Sequence, residues 1–442
     1  MKHLNLSLCA LSVCVAGSLL VDCGGPPSGF NLSGPPGNSI NPARTATPQS
    51  VKEKPVYSFL GGSDGSGPGA GLMTDATGAF YGTTSAGGSN GTGTVFRLRS
   101  VGNRYKKKTL YSFLGFSDGQ DPLGALIEDS SGALYGTTYN GGVNNATGTV
   151  FKLTPSGSGY TKTTIYTFQG GSDGSNPDGA LVAYQGGFYG TTIAGGKFGD
   201  GTVFALKPTT SGYAETVVHS FQGGQDGATP RSALLVNAGN LFSTTLTGGG
   251  GPCALTSEPA GCGTVFELKP SGSGFTETVV YRFKGGMDGA NPYGGLISDS
   301  RGTLYGTTGN GGSNGCRGGD NGVGCGTLFK LSPAGSGYTE SILHRFMESD
   351  GRGPVGTLTA ASHGKFYGTT LLGGAVGQGT VFALTVTPHR LVFTSLYSFQ
   401  STTKSDGSNP VGGLIFGADG KLFGTTQSGG SANNGTVFSF VP

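Results

Sequence analysis

The chain has 442 residues, of which 12% are charged and 89 are glycine. The charged share is about half the roughly 25% of an ordinary soluble domain, and glycine costs about 1 kcal/mol at each helical position. The composition therefore excludes a mainly helical protein and favours an all-β fold. The formal net charge is only +3 and the longest basic run is residues 106–108. Binding to nucleic acid, or to a membrane through a polybasic patch, is therefore not expected.

The start of the chain has the pattern of an export signal. Lys2 is followed by an apolar stretch, residues 4–21, that is short for a membrane span and close to the first residue. We expect residues 1–22 to be a signal peptide and residues 23–53, rich in Gly, Pro and Ser, to be a flexible tether. The sequence before Cys23 resembles the signal at which bacterial lipoproteins are cleaved and lipidated, although Asp22 stands where Gly, Ala or Ser is usual. The predicted location is the cell envelope or cell surface, through a lipid anchor on Cys23 or otherwise by secretion.

Four of the seven cysteines lie beyond the predicted tether. They form two pairs, Cys253 with Cys262 and Cys316 with Cys325, and the second Cys of each pair directly precedes a Gly-Thr step. In a cytosolic protein the alternatives would be free thiols or zinc ligands, but the spacing differs from the short Cys-x-x-Cys spacing of zinc sites. For an exported chain we predict two local disulfides.

An aromatic triplet marks an internal repeat, which occurs seven times. Successive triplets start 53 to 55 residues apart, except for two intervals of 62 and 63 residues that contain the cysteine pairs. Each triplet is followed by an Asp-Gly turn, a short apolar run, an aromatic-Gly-Thr-Thr segment and a Gly-Thr-Val-Phe segment. The triplets are Tyr57-Ser58-Phe59, Tyr111-Ser112-Phe113, Tyr166-Thr167-Phe168, His219-Ser220-Phe221, Tyr281-Arg282-Phe283, His344-Arg345-Phe346 and Tyr397-Ser398-Phe399. The Asp residues of the turns are Asp64, Asp118, Asp173, Asp226, Asp288, Asp350 and Asp406.

Each repeat has four short segments rich in Val, Ile, Thr, Tyr and Phe, which predict four antiparallel strands. In the second copy the predicted strands are residues 123–128, 133–138, 149–153 and 162–168. Seven such units predict a seven-bladed β-propeller over residues 54–442, whereas a β-helix would use a shorter repeat. The array starts with a fourth-type strand, residues 55–60, and ends with a third-type strand, residues 436–441. We therefore expect the N-terminal strand to close the ring by completing the last blade.

Several repeated polar residues invite a catalytic or metal-binding interpretation. The Asp of the Asp-Gly turn could bind calcium, but because it recurs in every copy we interpret it as a turn residue. We interpret the Thr-Thr pairs, such as Thr137 and Thr138, as strand residues, and His219 and His344 as packing residues in place of Tyr. The sequence has no HExxH, GxSxG, phosphate-loop or dinucleotide motif. We therefore predict no catalytic residue, no metal site and no cofactor.

The repeated unit, Tyr-Ser-Phe, Ser-Asp-Gly, Gly-Leu-Ile, Leu-Tyr-Gly-Thr-Thr, Gly-Gly and Gly-Thr-Val-Phe, resembles the GloVer (Gloeo/Verruco) tandem repeat. The resemblance covers residues 57–442, with departures such as Ser243 in place of Gly in the fourth copy and the lack of Gly-Gly before Asp350 in the sixth. It implies an exported bacterial protein of the choice-of-anchor kind, in which similar arrays carry different surface-attachment signals. It implies no particular activity.

For function, the sequence favours a monomeric, non-enzymatic and surface-attached scaffold that binds an extracellular protein or glycan. One alternative is a propeller enzyme that acts on extracellular carbohydrate in its central channel, with Arg231 as a candidate residue, and another is a structural envelope or adhesin module. We expect the Asp-Gly loops and the loops between Gly-Gly and Gly-Thr to emerge on one face, where the copies differ most in length. This face is the predicted binding surface, because recognition usually resides on loops held by a rigid scaffold. Tolerance of unselected surface loops would explain the same divergence.

Overall fold

β-branched and aromatic segments between glycine-rich turns give this chain short antiparallel strands. The computed structural model describes residues 54–102, 104–253, 260–312, 316, 324–387, 390–400 and 406–442. The predicted signal peptide, the tether and Cys23 lie outside the described residues. The strands form seven four-stranded antiparallel sheets, which are the blades of a seven-bladed propeller, as predicted. No α-helix occurs in the described part of the chain.

The first six blades are each formed by four consecutive strands, with a short inner strand and a nine-residue outer strand. The strand that precedes them is β1 (Lys54–Ser58). Blades 1 to 3 contain β2 (Met73–Thr74), β3 (Phe80–Thr84), β4 (Thr94–Val101) and β5 (Arg104–Ser112); β6 (Ile127–Glu128), β7 (Leu134–Thr138), β8 (Thr149–Ser156) and β9 (Gly159–Thr167); and β10 (Val182–Tyr184), β11 (Gly187–Thr192), β12 (Thr202–Thr209) and β13 (Gly212–Ser220). Blades 4 to 6 contain β14 (Leu235–Asn237), β15 (Asn240–Thr245), β16 (Thr264–Ser271) and β17 (Gly274–Arg282); β18 (Ile297–Ser298), β19 (Leu304–Thr308), β20 (Thr327–Ala334) and β21 (Gly337–Arg345); and β22 (Thr359–Ala361), β23 (Lys365–Thr370), β24 (Thr380–Thr387) and β25 (Arg390–Ser398).

The remaining elements are a small ribbon, the last blade and six short 3₁₀ helices. The ribbon pairs β26 (Gly407–Ser408) with β29 (Ser428–Gly429). The last blade contains β27 (Ile415–Phe416), β28 (Leu422–Thr426) and β30 (Thr436–Phe440). The 3₁₀ helices are Gly62–Asp64, Phe116–Asp118, Val143–Asn145, Gly171–Asp173, Gly286–Asp288 and Ser362–Gly364.

The N-terminal strand closes the ring, as the phase of the repeat predicts. β1 is the outer strand of the last blade and pairs antiparallel with β30, from Lys54 opposite Ser439 to Ser58 opposite Thr436. The Phe59 amide extends this pairing by donating to the Gly435 carbonyl at 3.0 Å. Two segments nearly 400 residues apart in the chain therefore form one sheet.

The hydrophobic core lies between neighbouring blades. The Phe of each triplet packs edge-to-face on the Phe of the Gly-Thr-Val-Phe segment in the next blade, and the ring centroids are 5.0–5.2 Å apart. Both rings are buried in every pair, and such a pair contributes about 0.5–1.5 kcal/mol beyond the burial of its area. The pairs are Phe59–Phe96, Phe113–Phe151, Phe168–Phe204, Phe221–Phe266, Phe283–Phe329, Phe346–Phe382 and Phe399–Phe438.

The glycine of the aromatic-Gly-Thr-Thr segment makes room for this contact. A Cβ atom at Gly136 would lie 2.7 Å from the Phe151 ring and 2.9 Å from the Leu126 side chain. Protein interiors are close-packed, so a side chain there would displace the aromatic ring. The small residue in the second strand and the Phe in the third are parts of one packing unit.

The Asp of each Asp-Gly turn holds together the connection between two blades. The Asp118 carboxylate accepts hydrogen bonds from the Leu114 amide and the Tyr111 hydroxyl, both at 2.8 Å. Equivalent amide hydrogen bonds occur in all seven copies, and a Tyr hydroxyl or a His imidazole of the triplet lies beside each carboxylate. The recurring Asp is therefore a turn residue, as interpreted from the sequence.

The outer strand of the following blade places one further side chain beside this Asp. We call the site formed by the triplet Tyr or His, the turn Asp and this side chain the interblade socket. In blades 1 to 6 a Leu stands two positions after the Gly-Thr-Val-Phe or Gly-Thr-Leu-Phe segment, and it pairs with a residue on the outer strand. The side chain of that outer-strand residue is the one beside the Asp. In sockets 1 to 6 the residues at this position are Lys107, Lys162, Glu215, Glu277, Glu340 and Phe393.

Socket 3 places two carboxyl groups together. Burial, and then the Asp173 carboxylate, raise the pKa of Glu215 from its ordinary value of 4.5 to about 8. The Glu215 Oε1 atom is buried and accepts no hydrogen bond from the described residues. At pH 7 the neutral form of Glu215 is therefore favoured in the folded protein, because a charged form would lie unpaired beside a second carboxylate.

Closure of the propeller by β1 predicts that loss of the Phe59 ring strongly destabilises the protein. Phe59→Ala should lower the free energy of unfolding by about 3–5 kcal/mol, because the buried ring joins the last blade to the first. Leu60→Ala is the matched control: its side chain is 64% exposed, and the change should stay within about 0.5 kcal/mol. Guanidinium unfolding curves measure both values. Equal stability of Phe59→Ala and the unmodified protein would contradict closure by this strand.

The Glu215 pair predicts stability that decreases with rising pH. Because the pKa of Glu215 is about 8 in the folded protein and 4.5 when unperturbed, folding is coupled to proton uptake between these values. The stabilisation is complete below pH 4.5 and lost above about pH 8. Between these values the free energy of unfolding should fall by up to about 1.4 kcal/mol per pH unit. Urea unfolding at several pH values should show this slope, and Glu215→Gln should reduce it. The control Glu348→Gln, at an exposed position, should retain it; a retained slope in Glu215→Gln would refute the assignment.

Candidate functional site

Two sets of loops share one face of the propeller. In each of the first six connections, the loop that carries the Asp-Gly turn forms a β-bridge with the loop between the second and third strands of the blade. In the last blade the ribbon of β26 and β29 makes the same link. The bridges are Ser66–Ala86, Gln120–Asn140, Ser175–Ala194, Ala228–Thr247, Ala290–Asn310 and Arg352–Leu372. The predicted common face is therefore confirmed, and we call it the loop face.

Both predicted disulfides are present and lie on the loop face. Cys253 is bonded to Cys262 and Cys316 to Cys325, with Cα–Cα distances of 4.9 and 5.5 Å. Each bridge closes the loop between the second and third strands of its blade. Cys262 and Cys325 are fully buried, so these bridges attach the two long loops to the blades below them. Disulfides of this kind fit an oxidising compartment.

The Thr-Thr pairs are structural. The second Thr of each pair shares a hydrogen bond of 2.8–2.9 Å with the Thr of the Gly-Thr-Val-Phe or Gly-Thr-Leu-Phe segment, in all seven blades. In the second copy this bond joins Thr138 to Thr149, and the hydroxyl of Thr137 donates to Gly179 of the next blade at 3.4 Å. All three side chains are buried, so the interpretation as strand residues is confirmed.

Close contacts between backbones surround the central axis. A Cβ atom on Gly124 would lie 2.9 Å from the Gly179 carbonyl oxygen, and one on Gly356 would lie 2.9 Å from that of Gly412. Glycine at these positions lets the segments that lead into neighbouring inner strands approach each other. We call the equivalent residues of the seven blades the inner ring: Ala70, Gly124, Gly179, Ser232, Gly294, Gly356 and Gly412.

The fourth copy departs from glycine at two positions that contact each other. The Ser232 hydroxyl lies 2.7 Å from the Ser243 hydroxyl and 2.9 Å from that of Thr244, within hydrogen-bond distance of both. All three groups are buried, so each needs a polar partner. The Ser243 departure seen in the sequence therefore has a structural explanation in Ser232.

The connection between two blades runs from the Asp-Gly turn on the loop face to the inner ring. The residue just before each inner-ring position lies at the inner end of this connection. A Pro precedes it in every copy and packs on the preceding blade; the Pro122 ring, for example, lies 2.5 Å from where a Cβ on Gly93 would be. We call this second set of positions the channel mouth. Its residues are Gly69, Leu123, Asp178, Arg231, Tyr293, Val355 and Val411.

Three consecutive blades break the apolar pattern of the channel mouth. Arg231 Nη1 lies 3.2 Å from Asp178 Oδ2, and the Arg231 guanidinium lies over the Tyr293 ring, 5.7 Å from its centroid. The Arg231 and Asp178 side chains are 24% and 18% exposed. Burial raises the pKa of Asp178 above its ordinary value, and the Arg231 charge opposes this shift. The structure thus joins Arg231, singled out in the sequence, to two residues that sequence analysis did not select.

Asp178 and Tyr293 could have been found from the sequence by aligning the seven copies on the Pro of each connection. The position after this Pro is occupied by Gly, Leu or Val in four copies and by Asp, Arg and Tyr in the other three. The propeller places these three in consecutive blades, where Arg231 contacts both Asp178 and Tyr293. A cation, a carboxylate and an aromatic face are groups that recognise polar ligands.

The two His residues of the triplets have different surroundings. His219 Nε2 lies 3.3 Å from Asp226 Oδ2, and donor atoms of His219, Asp226 and Glu277 all lie within 4.8 Å of one another. His344 also approaches its turn Asp, but its imidazole stacks on Phe393 with centroids 3.6 Å apart. Both imidazoles also pack edge-to-face on the Phe of their own triplet, as interpreted from the sequence, and His219 in addition belongs to a polar cluster.

The similarity of this chain to solved structures is limited to the fold. A protein from Bacteroides uniformis named as a 6-phosphogluconolactonase is 14% identical, with a TM-score of 0.51 over 80% of this chain and 88% of that one. A Thermus thermophilus protein named as an oxidoreductase (glucose dehydrogenase) is 15% identical, with a TM-score of 0.44 over 88% of this chain and all of that one. No curated protein matches this sequence significantly. No helix among the described residues is long and apolar enough to span a bilayer.

The repeat itself identifies the family. The model of the Gloeobacter/Verrucomicrobia repeat matches residues 45–256 and, a second time, residues 253–442. These two matches together extend over all seven blades. The chain therefore belongs to the Gloeobacter/Verrucomicrobia repeat family.

Proposed function

We propose that this protein is an exported, surface-anchored and non-enzymatic binding propeller that takes an acidic extracellular glycan at its channel mouth. The observation that carries the proposal is the contact of Asp178, Arg231 and Tyr293, where four other copies have Gly69, Leu123, Val355 and Val411. Small or apolar residues occupy this position in the other four copies, so the scaffold itself does not require the three polar or aromatic side chains. Functional sites of propellers are additions of this kind, and the fold alone implies none.

The chemistry of the three side chains favours a sugar that carries a carboxylate. A guanidinium recognises carboxylates with paired hydrogen bonds, and a carboxylate such as Asp178 accepts hydrogen bonds from sugar hydroxyls. An aromatic ring such as Tyr293 offers a face for the apolar side of a sugar ring. The channel-mouth residues lie in the same connections as the Asp-Gly turns of the loop face, so the variable loops of that face would contact the remainder of a longer chain.

Export and anchoring are proposed from the N-terminal pattern. The charged start, the apolar stretch 4–21 and Cys23 follow the order of a lipoprotein signal, and the two disulfides need an oxidising compartment. A lipid on Cys23 followed by the Gly- and Pro-rich tether would hold the propeller away from the membrane.

An enzyme that acts on carbohydrate at the same position is the second candidate. The observation in its favour is Asp178, because a buried carboxyl group with a raised pKa beside a charged partner is a common form of acid catalyst. Hydrolysis of a glycosidic bond ordinarily uses two carboxyl groups, and at the channel mouth Asp178 is the single one. The binding function is therefore preferred.

The binding proposal predicts that one arginine controls affinity. On an array of acidic and neutral oligosaccharides and peptides, the mature protein should bind uronate-containing glycans, and Arg231→Gln should weaken binding by about tenfold or more, since hydrogen bonds to charged groups contribute about 1.5–3 kcal/mol. The matched control is Arg99→Gln, the same change at an exposed arginine at the far end of β4. It should leave affinity unchanged.

Four outcomes would contradict this proposal. Unchanged affinity in Arg231→Gln, or a loss confined to Arg99→Gln, would move binding away from the channel mouth. Release of smaller sugars that stops in Asp178→Asn would replace the binding protein with an enzyme. Absence of any glycan or peptide ligand would favour the structural module.

Anchoring has a separate test. Cys23→Ala should abolish incorporation of labelled fatty acid and move the protein from the membrane fraction to the soluble or secreted fraction. Cys253→Ala is the control, because a disulfide cysteine in the loop face should not alter lipid labelling. Membrane association that persists in Cys23→Ala would overturn the lipid anchor.

A further inference from the structure

The interblade sockets are built around a buried positive charge in the first two copies. The Lys107 ammonium donates to the Asp64 backbone carbonyl, to Asp64 Oδ1 at 3.0 Å and to Thr109 Oγ1 at 2.8 Å. Lys162 makes the same three bonds in socket 2. The two lysine side chains are 3% and 4% exposed. In these two sockets the turn Asp, its own carbonyl and a Thr of the outer strand thus place oxygen atoms around a cation.

Socket 4 has no lysine at this position. The paired strand position holds Glu277, and the triplet position holds His219 in place of Tyr. Glu277 Oε1 is buried and accepts no hydrogen bond from the described residues. Burial, and then the Asp226 carboxylate, raise the pKa of Glu277 to about 7. Sockets 1 and 2 place a lysine ammonium beside the turn Asp. Socket 4 instead places the Glu277 carboxylate there, and one oxygen of that carboxylate has no hydrogen-bond donor among the described residues.

We propose that socket 4 binds a divalent transition-metal ion, with zinc as the preferred ion, through His219 Nε2 and the Asp226 and Glu277 carboxylates. The three donor atoms lie within 4.8 Å of one another. Zinc binds imidazole nitrogen and carboxylate oxygen at about 2.0–2.2 Å, which places tetrahedral ligands roughly 3.4 Å apart. Side-chain rotations that draw the most distant donors together by up to about 1.4 Å would complete the site, and water would fill the fourth position. The imidazole ligand selects zinc over calcium, which prefers oxygen ligands.

The other sockets show that this combination is specific to the fourth copy among those described. Sockets 3 and 5 have the second carboxylate, Glu215 and Glu340, but a Tyr in the triplet. Socket 6 has His344, but its strand position is Phe393, whose ring stacks on the imidazole. Sockets 3, 5 and 6 therefore each lack one of the three ligands, and they can serve as controls for socket 4.

The ion would join two blades. His219 lies on β13, the outer strand of blade 3, and Glu277 lies on β17, the outer strand of blade 4, while Asp226 belongs to the connection between them. A ligand that binds the folded state stabilises it in proportion to the logarithm of its concentration. Zinc should therefore raise the melting temperature of the propeller.

The test uses the untagged, oxidised mature protein after removal of metal with a chelator. Titration with zinc chloride should show one bound ion per chain, together with a higher melting temperature, and cobalt should give the visible absorption of a tetrahedral site. His219→Tyr, which copies the residue of sockets 3 and 5, should weaken zinc binding by more than about tenfold, since even the loss of a residue that only supports a ligand costs 10–100-fold. Glu277→Gln should do the same.

The matched control is His344→Tyr, the same change in socket 6, and it should leave zinc affinity and stoichiometry unchanged. Melting curves in chelator show whether each variant folds, and Glu277→Gln remains informative if His219→Tyr is unstable. Two results would overturn the site: no stoichiometric zinc in the unmodified protein, or the same affinity in His219→Tyr and Glu277→Gln as in the unmodified protein. Loss of zinc binding in His344→Tyr would place the ion elsewhere.

Discussion

The whole ring depends on one contact, in which a Phe at the end of each outer strand packs edge-to-face on a Phe of the next blade. Phe113 and Phe151 show the arrangement, with Gly136 leaving the space that the Phe151 ring occupies. Because the triplet Phe packs into the blade that follows it, the junction of the last and first blades also needs an outer strand. β1 and Phe59 meet this requirement at the junction of the last and first blades. Blade packing and ring closure are therefore consequences of the same pair.

The same offset places a turn Asp beside the outer strand of the next blade, and this creates the interblade sockets. Scaffold packing determines where the socket is, but it leaves the identity of one strand side chain open. Lys107 satisfies the Asp with an ammonium group, whereas Glu215 adds a second carboxylate whose pKa rises. Burial of a charge is costly unless it is paired, so these substitutions change the chemistry of the socket while the backbone is retained.

Several departures from sevenfold repetition lie around the connection between blades 3 and 4. A single connection, residues 221–234, contains Asp226 of socket 4, Arg231 of the channel mouth and Ser232 of the inner ring. Its neighbours supply Asp178 and Tyr293 from blades 3 and 5. The metal site proposed at the outer end of this connection would hold in place the segment that presents Arg231 at the inner end. The two proposals concern different residues and fail independently, yet they draw on the same structural feature.

The sequence by itself determined the repeat, the number of blades, the order of the strands, ring closure and the disulfide pairs. The strands and turns follow from patterns that recur within each copy, and the disulfide pairs follow from the cysteine spacing in two of them. Ring closure follows from the type of strand at each end of the array. Only the tertiary structure brought Asp178, Arg231 and Tyr293 together, because these residues lie more than 50 positions apart in the chain and meet only where three inner strands converge on the axis. The grouping of His219, Asp226 and Glu277 was likewise decided by packing, since it depends on how the outer strand of one blade lies beside the connection from the one before.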